Sequence, residues 1–241
     1  MIKRLAAFLA ALALFVSQAT ASIFVINSYS VRPLPTYSSL GCTNKGSGAD
    51  PTTFTAVNVG TADAARTTIL TITADDGTTI DFSFVGVTIG GDSATEVVDT
   101  ANVNSRQQSA VYAMANPAGT SENVVVDLSE AVGDVTLCVY AAYNLNSSTA
   151  IASNSGFDTS GGLLTLSVNT QDKGIAVGIC GADTGSAAVT WVGLTEETDA
   201  TGTGHFYSSA WLSNTSDASP LTISCDYAGT GDIAGAAASF R

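Results

Sequence analysis

Short runs of alternating apolar and polar residues, separated by turn residues, occupy the chain from about residue 52 to its end. Residues 67–73 alternate threonine with isoleucine and leucine and are followed by Asp75-Asp76-Gly77. Residues 80–89 repeat the pattern and stop at Gly90-Gly91-Asp92. A period of two is typical of strands that bury one face, and Asp-Gly between two such runs indicates a hairpin. The pattern therefore predicts that these two runs pair.

Strand-like runs continue through the rest of the chain, at residues 109–115, 123–128, 135–143, 163–168, 175–180, 188–192, 205–212, 221–227 and 236–240. No window has sustained apolar spacing of 3.6 residues with caps at both ends, so no helix is predicted. The chain is predicted to be all-β, a two-sheet antiparallel sandwich of jelly-roll (concanavalin-like) type. The expected core consists of large apolar residues within these runs, namely Phe82, Phe84, Val139, Leu166, Val177, Trp191 and Ile223.

The first 50 residues differ from the rest. Lys3 and Arg4 precede an apolar run over residues 5–16, and Ala19-Thr20-Ala21 has the small-x-small pattern of a signal peptidase site. The apolar run is shorter than the roughly 20 residues that span a bilayer, although a retained N-terminal anchor is the alternative. The predicted organisation is a signal peptide over 1–21, an irregular, proline- and glycine-containing N-terminal extension over 22–50, and a single β-sandwich domain over 51–241.

Charge narrows the choice of partners. The chain has 21 acidic and 8 basic residues, a formal net charge of −13, and loss of the leader would make it more acidic. Nucleic acids and anionic membrane surfaces attract clustered Lys and Arg, so neither is an expected partner. Membrane insertion of the mature chain is not expected either, because polar residues interrupt every later apolar stretch.

The four cysteines indicate disulfide bonds. Cys42, Cys138, Cys180 and Cys225 are widely spaced and contain no Cys-x-x-Cys pair of the kind that binds zinc. An even number in an exported chain favours disulfides, and four cysteines allow three pairings. The sequence leaves the choice among these pairings open, with buried free thiols as the alternative.

Several segments resemble one group of β-sandwich proteins. They include Val87-Thr-Ile-Gly-Gly-Asp-Ser-Ala-Thr-Glu-Val-Val98 and the stretches at residues 110–120, 123–129, 189–196, 207–211 and 236–241. This poorly characterised group occurs in tailed bacteriophages and in marine or soil proteobacteria. The resemblance implies a jelly-roll or lectin-like sandwich and a place in a phage tail or on a virion surface. Because it rests on turn and core residues, it transfers a fold more safely than a role.

Few residues are suited to catalysis. His205 is the one histidine, no Gly-x-Ser-x-Gly elbow accompanies it, and a lone histidine at a strand start favours a structural role. Glu196-Glu197 is the only adjacent glutamate pair. Neighbours on a strand point to opposite faces, which does not suit the paired carboxylates of a glycosidase. The protein is therefore predicted not to be an enzyme.

Two kinds of binding site are expected. Asp75, Asp76 and Asp92 lie in acidic turns that offer oxygen ligands to a structural calcium ion, with a solvated acidic turn as the alternative. No other cofactor is expected. Aromatic side chains beside polar groups suit a sugar or protein ligand, and the candidates are Tyr207, Trp211, Tyr143 and Asn144. Burial of Trp211 in the core is the alternative.

These features predict a non-enzymatic structural or binding protein that is secreted or displayed on an extracellular or virion surface, where it contacts proteins or glycans. The export signal departs from a typical virion component, because virions normally assemble in the cytoplasm. A secreted carbohydrate-binding module or weak glycan-active enzyme is the alternative. A homo-oligomeric subunit of an appendage is a third hypothesis.

Overall fold

A computed structural model describes residues 33–77, 81–100, 106–115, 119–183, 188–202 and 204–241. All helical or strand structure in these ranges is β-strand, which confirms the all-β prediction. The predicted signal peptide lies outside the described residues.

The first nine strands are β1 (Thr36–Gly48), β2 (Thr52–Asn58), β3 (Arg66–Asp75), β4 (Phe84–Ile89), β5 (Asp92–Ser93), β6 (Thr95–Asp99), β7 (Gln107–Ala115), β8 (Ser121–Leu128) and β9 (Val132–Tyr143). The remaining strands are β10 (Ala152–Asp158), β11 (Gly162–Thr170), β12 (Gly174–Ala182), β13 (Val189–Val192), β14 (Thr195–Thr201), β15 (Phe206–Thr215), β16 (Ala218–Tyr227) and β17 (Ile233–Phe240).

These strands form four antiparallel sheets. Sheet A has the order β1-β9-β3-β7-β6, and sheet B has the order β2-β8-β4-β5. Sheet C has the order β10-β17-β12-β15-β14, and sheet D has the order β11-β16-β13. Sheets A and B together have jelly-roll connectivity, and sheets C and D repeat it. The predicted two-sheet sandwich is therefore present twice, in an N-terminal half (residues 36–143) and a C-terminal half (residues 152–240).

The two halves correspond strand by strand. In chain order, β10 to β17 match β1 to β4 and β6 to β9, while β5 has no counterpart. Short motifs recur at matching places, as in Ala74-Asp75 and Ala182-Asp183, Thr95-Glu96 and Thr195-Glu196, and Gly133-Asp134 and Gly231-Asp232. Such short matches do not stand out in a sequence rich in Ala, Gly and Thr.

Three apolar cores separate the sheets in the layer order B, A, C, D. Leu70 and Val126 belong to the core between sheets A and B. Leu166 belongs to the core between sheets C and D, and Ile69 and Val177 belong to the core between sheets A and C. Sheets A and C are thus covered on both faces, which explains why every residue of β3 and of β12 is buried.

Sheets A and C pack face to face. Strand β3 packs on its equivalent β12, while β7 packs on β17. At one border Ser39 of β1 hydrogen-bonds Glu197 of β14, and at the other Ser153 of β10 hydrogen-bonds the carbonyl of Val97 in β6. Ser39 pairs with Tyr140, and Ser153 pairs with Ala238 at the matching register, so the two serines are equivalent.

All seven predicted core residues are buried. Two predictions about the strands, by contrast, are wrong. Residues 36–48 form strand β1 rather than an irregular extension, because pairing with β9 satisfies a backbone whose Gly- and Ser-rich composition has little strand propensity. The hairpin predicted across Asp75-Asp76-Gly77 does not form either. Strand β3 pairs with β7 and β9 in sheet A, whereas β4 lies in sheet B, because a jelly-roll chain crosses between sheets at this point.

Both disulfide bonds are formed. One links two strands of the same sheet, and the other links two sheets. Cys42 and Cys138 lie directly opposite each other on β1 and β9 with a Cα–Cα distance of 4.0 Å. Cys180 of β12 and Cys225 of β16 join sheet C to sheet D across 6.8 Å. All four cysteines are thereby paired. Two disulfides are typical of a protein that resides in an oxidising compartment.

Candidate functional site

The structure buries Tyr207 and half-buries Trp211, both on the face of β15 that is turned toward sheet A. Tyr207 is 7% exposed and its ring lies 5.8 Å from that of His205, between sheets A and C. Trp211 shares that face of β15 and packs its ring against Tyr140 of β9, at 6.2 Å between centroids. Residues two apart on a strand share a face, and here that face is the one that sheet A covers. These aromatic side chains therefore join the two halves.

Tyr143 and Asn144 lie far from Tyr207. Tyr143 is the last residue of β9, and its hydroxyl donates a hydrogen bond to the carbonyl of Thr61 at 3.2 Å. Asn144 follows with a φ of 60°, which turns the chain toward the C-terminal half. Tyr207 lies near Asp134, at the opposite end of β9 from Tyr143. Nine residues of strand separate Asp134 from Tyr143, a distance of about 30 Å. The structure does not gather the four predicted ligand residues into one site.

The three aspartates predicted to hold calcium are also dispersed. Asp75 is buried at the end of β3, and Asp76 follows it. Asp92 is exposed in the β4–β5 turn of sheet B. Within the described ranges, no three His, Cys, Asp or Glu side chains are arranged to hold a metal ion.

A buried polar group that sequence analysis missed lies between sheets A and C, and we call Asn44, Asp75, Asp134, Thr136 and His205 the His205 cluster. Nδ1 of His205 lies 3.2 Å from Oδ2 of Asp134, and its Nε2 lies 3.4 Å from Oγ1 of Thr136. Asn44 donates hydrogen bonds to Asp134 and to Thr136. Asp75 and Asp134 pair directly across β3 and β9.

The ionisable side chains of this cluster are buried. His205 is 0% exposed, and Asp75 and Asp134 are each 1% exposed. Burial raises the pKa of the Asp75 carboxyl, although a hydrogen bond from the Gly77 amide and the nearby His205 oppose the rise. Gly202 also closes the cluster, since a Cβ at this residue would lie 2.3 Å from Oδ2 of Asp134. The arrangement joins sheet A of the N-terminal half to sheet C of the C-terminal half.

A second polar contact lies at the border of the same interface. A bulge between Glu196 and Thr198 breaks the alternation of β14 and directs Glu197 toward sheet A. There Ser39 donates a hydrogen bond to its carboxylate. Burial raises the pKa of Glu197, and the hydroxyl of Tyr140 opposes that rise. The bulge could not be inferred from the sequence, because it depends on the pairing of β14 with β15.

The outer face of sheet B carries a concave surface. Two adjoining depressions of 610 and 530 Å³ share Thr88 of β4 and Val125 of β8. Asp127 borders the first depression and Asn123 the second, while Val85 is 61% exposed. This surface, defined by these five residues, combines apolar area with side-chain donors and acceptors, as contact surfaces for proteins and glycans do.

Comparison with known proteins identifies no family. No protein family matches the sequence, and no curated protein matches it. The resemblance to sandwich proteins of phages and proteobacteria therefore stays a prediction. Among the described residues, no helix has the length and apolar character needed to cross a membrane.

Solved structures show only distant likeness. A conserved protein of unknown function from Pseudomonas aeruginosa is 10% identical over 86% of this chain and 88% of its own, with a TM-score of 0.31. A chain of Sulfolobus turreted icosahedral virus is 13% identical over 87% of this chain and 61% of its own, with a TM-score of 0.28. A chain of Melon necrotic spot virus is 9% identical over 86% and 97%, with a TM-score of 0.23. These scores are too low to carry an argument about role.

Proposed function

We propose that this protein is a non-enzymatic structural or binding protein that works outside the cytoplasm and contacts a protein or glycan surface through the outer face of sheet B. The observation that carries the proposal is the pair of closed disulfides, one in each half. Disulfides persist in oxidising compartments, and two of them stabilise a fold that must survive without chaperones.

The burial of the polar side chains around the single histidine supports a non-enzymatic role. The single histidine is fully buried with Asp134 and Thr136, where it joins two sheets. The outer face of sheet B, by contrast, is open and lies on a sheet that is rigidly backed by sheet A. Rigid β-layers present a contact surface without the entropy loss that a mobile loop would incur on binding.

Compartment is tested by fractionation of producing cells, immunogold microscopy, and mass spectrometry with and without reduction. The proposal requires label outside the cytoplasm and a mass four hydrogens lighter before reduction. Label on particles would place the protein on a virion, and label on the envelope would place it on a cell surface. Cytoplasmic label with four free thiols would overturn the proposal.

The contact surface is tested by a matched pair of variants. Asp127 on sheet B and Asp226 on sheet D are exposed residues at equivalent positions of β8 and β16. Asp127→Arg should abolish adhesion to isolated envelopes and binding on a glycan array, with or without calcium, whereas Asp226→Arg should leave both unchanged. Equal behaviour of the two variants would argue against sheet B as the contact surface.

A further inference from the structure

A cleft opens into the side of the N-terminal half, between the free edges of β1 and β2. Its volume is 300 Å³, and its walls include Leu40, Val57 and Lys45. Phe54 and Val139, which are 1% and 3% exposed, form its floor at the margin of the core between sheets A and B. Thr43, Thr55 and Asn58 also line the cleft, so it has an apolar floor, walls of mixed polarity and one cationic side chain at its mouth.

Small side chains on β1 keep the cleft open. The residues of β1 that face sheet B after the bulge are Gly41, Thr43 and Lys45, so no large apolar group covers the floor. Apart from its two chain neighbours, no residue has an atom within 4 Å of the place where a Cβ of Gly41 would stand. A bulge in β2, at which Ala56 has a φ of 54°, sets the opposite wall back.

The equivalent place in the C-terminal half is filled. Strand β10 packs closely on β11, and Leu164 and Leu166 contact the position of Gly156, which is equivalent to Thr43. A Cβ at Gly156 would lie 3.0 Å from Leu164 and 3.2 Å from Leu166. Because one fold closes this gap with leucine in one half and leaves it open in the other, the open cleft is a feature of the N-terminal half and not of the jelly roll.

Charge defines what the cleft would hold. Lys45 extends over the Phe54 ring, with its Nζ 5.9 Å from the ring centroid, in a chain whose formal net charge is −13. A cation at the mouth of a cleft with an apolar floor pairs with an anionic head group while the floor takes up an apolar tail. We propose that this cleft binds a small amphipathic carboxylate, with the tail against Leu40, Val57 and Phe54 and the carboxylate on Lys45.

Calorimetry with octanoate and octanol tests the proposal on the full mature chain. Octanoate should bind, and Lys45→Gln should weaken its binding about tenfold while leaving octanol unaffected, because a charge-assisted hydrogen bond is lost. Lys173→Gln, which makes the same change at an exposed lysine in the turn between β11 and β12, should leave octanoate binding unchanged. No octanoate binding at millimolar concentration, or equal weakening by both variants, would overturn the proposal.

A filled cleft gives an independent readout. Thr43→Leu places a leucine in the cleft and should abolish binding of octanoate and of octanol. Methyl NMR should show shifts of Leu40, Val57 and Val139 in the unmodified chain when octanoate is added. Shifts at the exposed Leu163 and Val192 of sheet D instead would show that octanoate binds elsewhere and would refute the assignment. The methyl readout needs no variant, so a folding defect of Thr43→Leu cannot obscure the answer.

Discussion

The two halves of this protein have the same strand order but bury different chemistry at the same place. In β6 and in β14 a bulge follows a Thr-Glu pair, and the bulged residue is Val97 in one half and Glu197 in the other. A serine at the equivalent position hydrogen-bonds each bulged residue. The strand partner of that serine is Ala238 on the Val97 side and Tyr140 on the Glu197 side.

This difference shows how a repeated fold tolerates a carboxyl group at an internal border. The backbone bulge is the same in both halves, so strand pairing sets its position. The side chain that the bulge turns inward can be apolar or acidic, provided that the facing residue changes with it. The two borders therefore differ in polarity through a few paired residue differences, while their backbone arrangement stays the same.

The largest effect should come from disulfide loss in the C-terminal half. Cys180 and Cys225 are fully buried and occupy the places of Ile72 and Val126 in the N-terminal core. Replacing both by alanine removes a link between sheets and leaves space in a core. We expect the free energy of unfolding to fall by about 4 kcal/mol, measured by urea denaturation with the fluorescence of Trp191.

The edge disulfide is the control for this prediction. Cys42→Ala with Cys138→Ala should lower the free energy of unfolding by about 3 kcal/mol, because Cys42 is only half-buried on an edge strand. Loop-closure entropy alone predicts the reverse order. Loss of the Cys42–Cys138 bond, with a sequence separation of 96 residues, would then cost about 0.7 kcal/mol more than loss of the Cys180–Cys225 bond, with a separation of 45. A greater loss from the edge pair would mean that loop entropy outweighs core packing.

Exchange of the bulged residues tests the central difference directly. Val97→Glu places a carboxyl beside Ala238, which stands where Tyr140 stands at the other border, and should lower the free energy of unfolding by about 3 kcal/mol. Glu197→Val should change it by less than about 1 kcal/mol at neutral pH, because an apolar residue replaces a desolvated acid. Urea midpoints measure both, and equal tolerance of both variants would show that the borders are not specialised.

Substitutions at the cleft and at the equivalent filled position should differ less in their effect on stability. Gly156→Val pushes against Leu164 and Leu166 and should lower the free energy of unfolding by about 2 kcal/mol through overpacking. Thr43→Val, at the equivalent position beside open space, should change it by less than about 0.5 kcal/mol. Thermal denaturation of the two variants measures the difference, and a similar cost at both positions would mean that the cleft closes in solution.

The smallest effect concerns pH. Burial raises the pKa of Glu197 above the ordinary glutamate value of 4.5, so the folded state holds its proton more tightly than the unfolded state. The stability that this proton confers is present below the ordinary pKa and is lost as pH rises through the folded-state pKa. Relative to Glu197→Gln, the parent chain should therefore become less stable from pH 4 toward pH 7.

The difference in urea midpoint between the parent chain and Glu197→Gln should therefore depend on pH. A pH-independent difference for Glu197→Gln would show that water reaches this carboxyl in the folded state.

The sequence determined the features that depend on local pattern. Period-two alternation predicted the all-β class and most of the strands, and large apolar residues inside those runs predicted the core. The cysteine count predicted disulfides, although their pairing depended on which strands met. Local pattern failed for Thr36–Gly48 and Thr195–Thr201, whose glycines and charged residues form strands because a partner satisfies their backbone.

The tertiary structure alone decided what the polar residues do. Tyr207 and Trp211 are residue types that suit a ligand site, yet their rings pack toward sheet A. No sequence pattern states which face of β15 another sheet will pack on. Asp134 and His205 are 71 positions apart and meet only because two jelly rolls stack face to face. Alternation specifies that a strand has two faces, while the stacking of sheets decides whether water, apolar side chains or a buried acid meets each one.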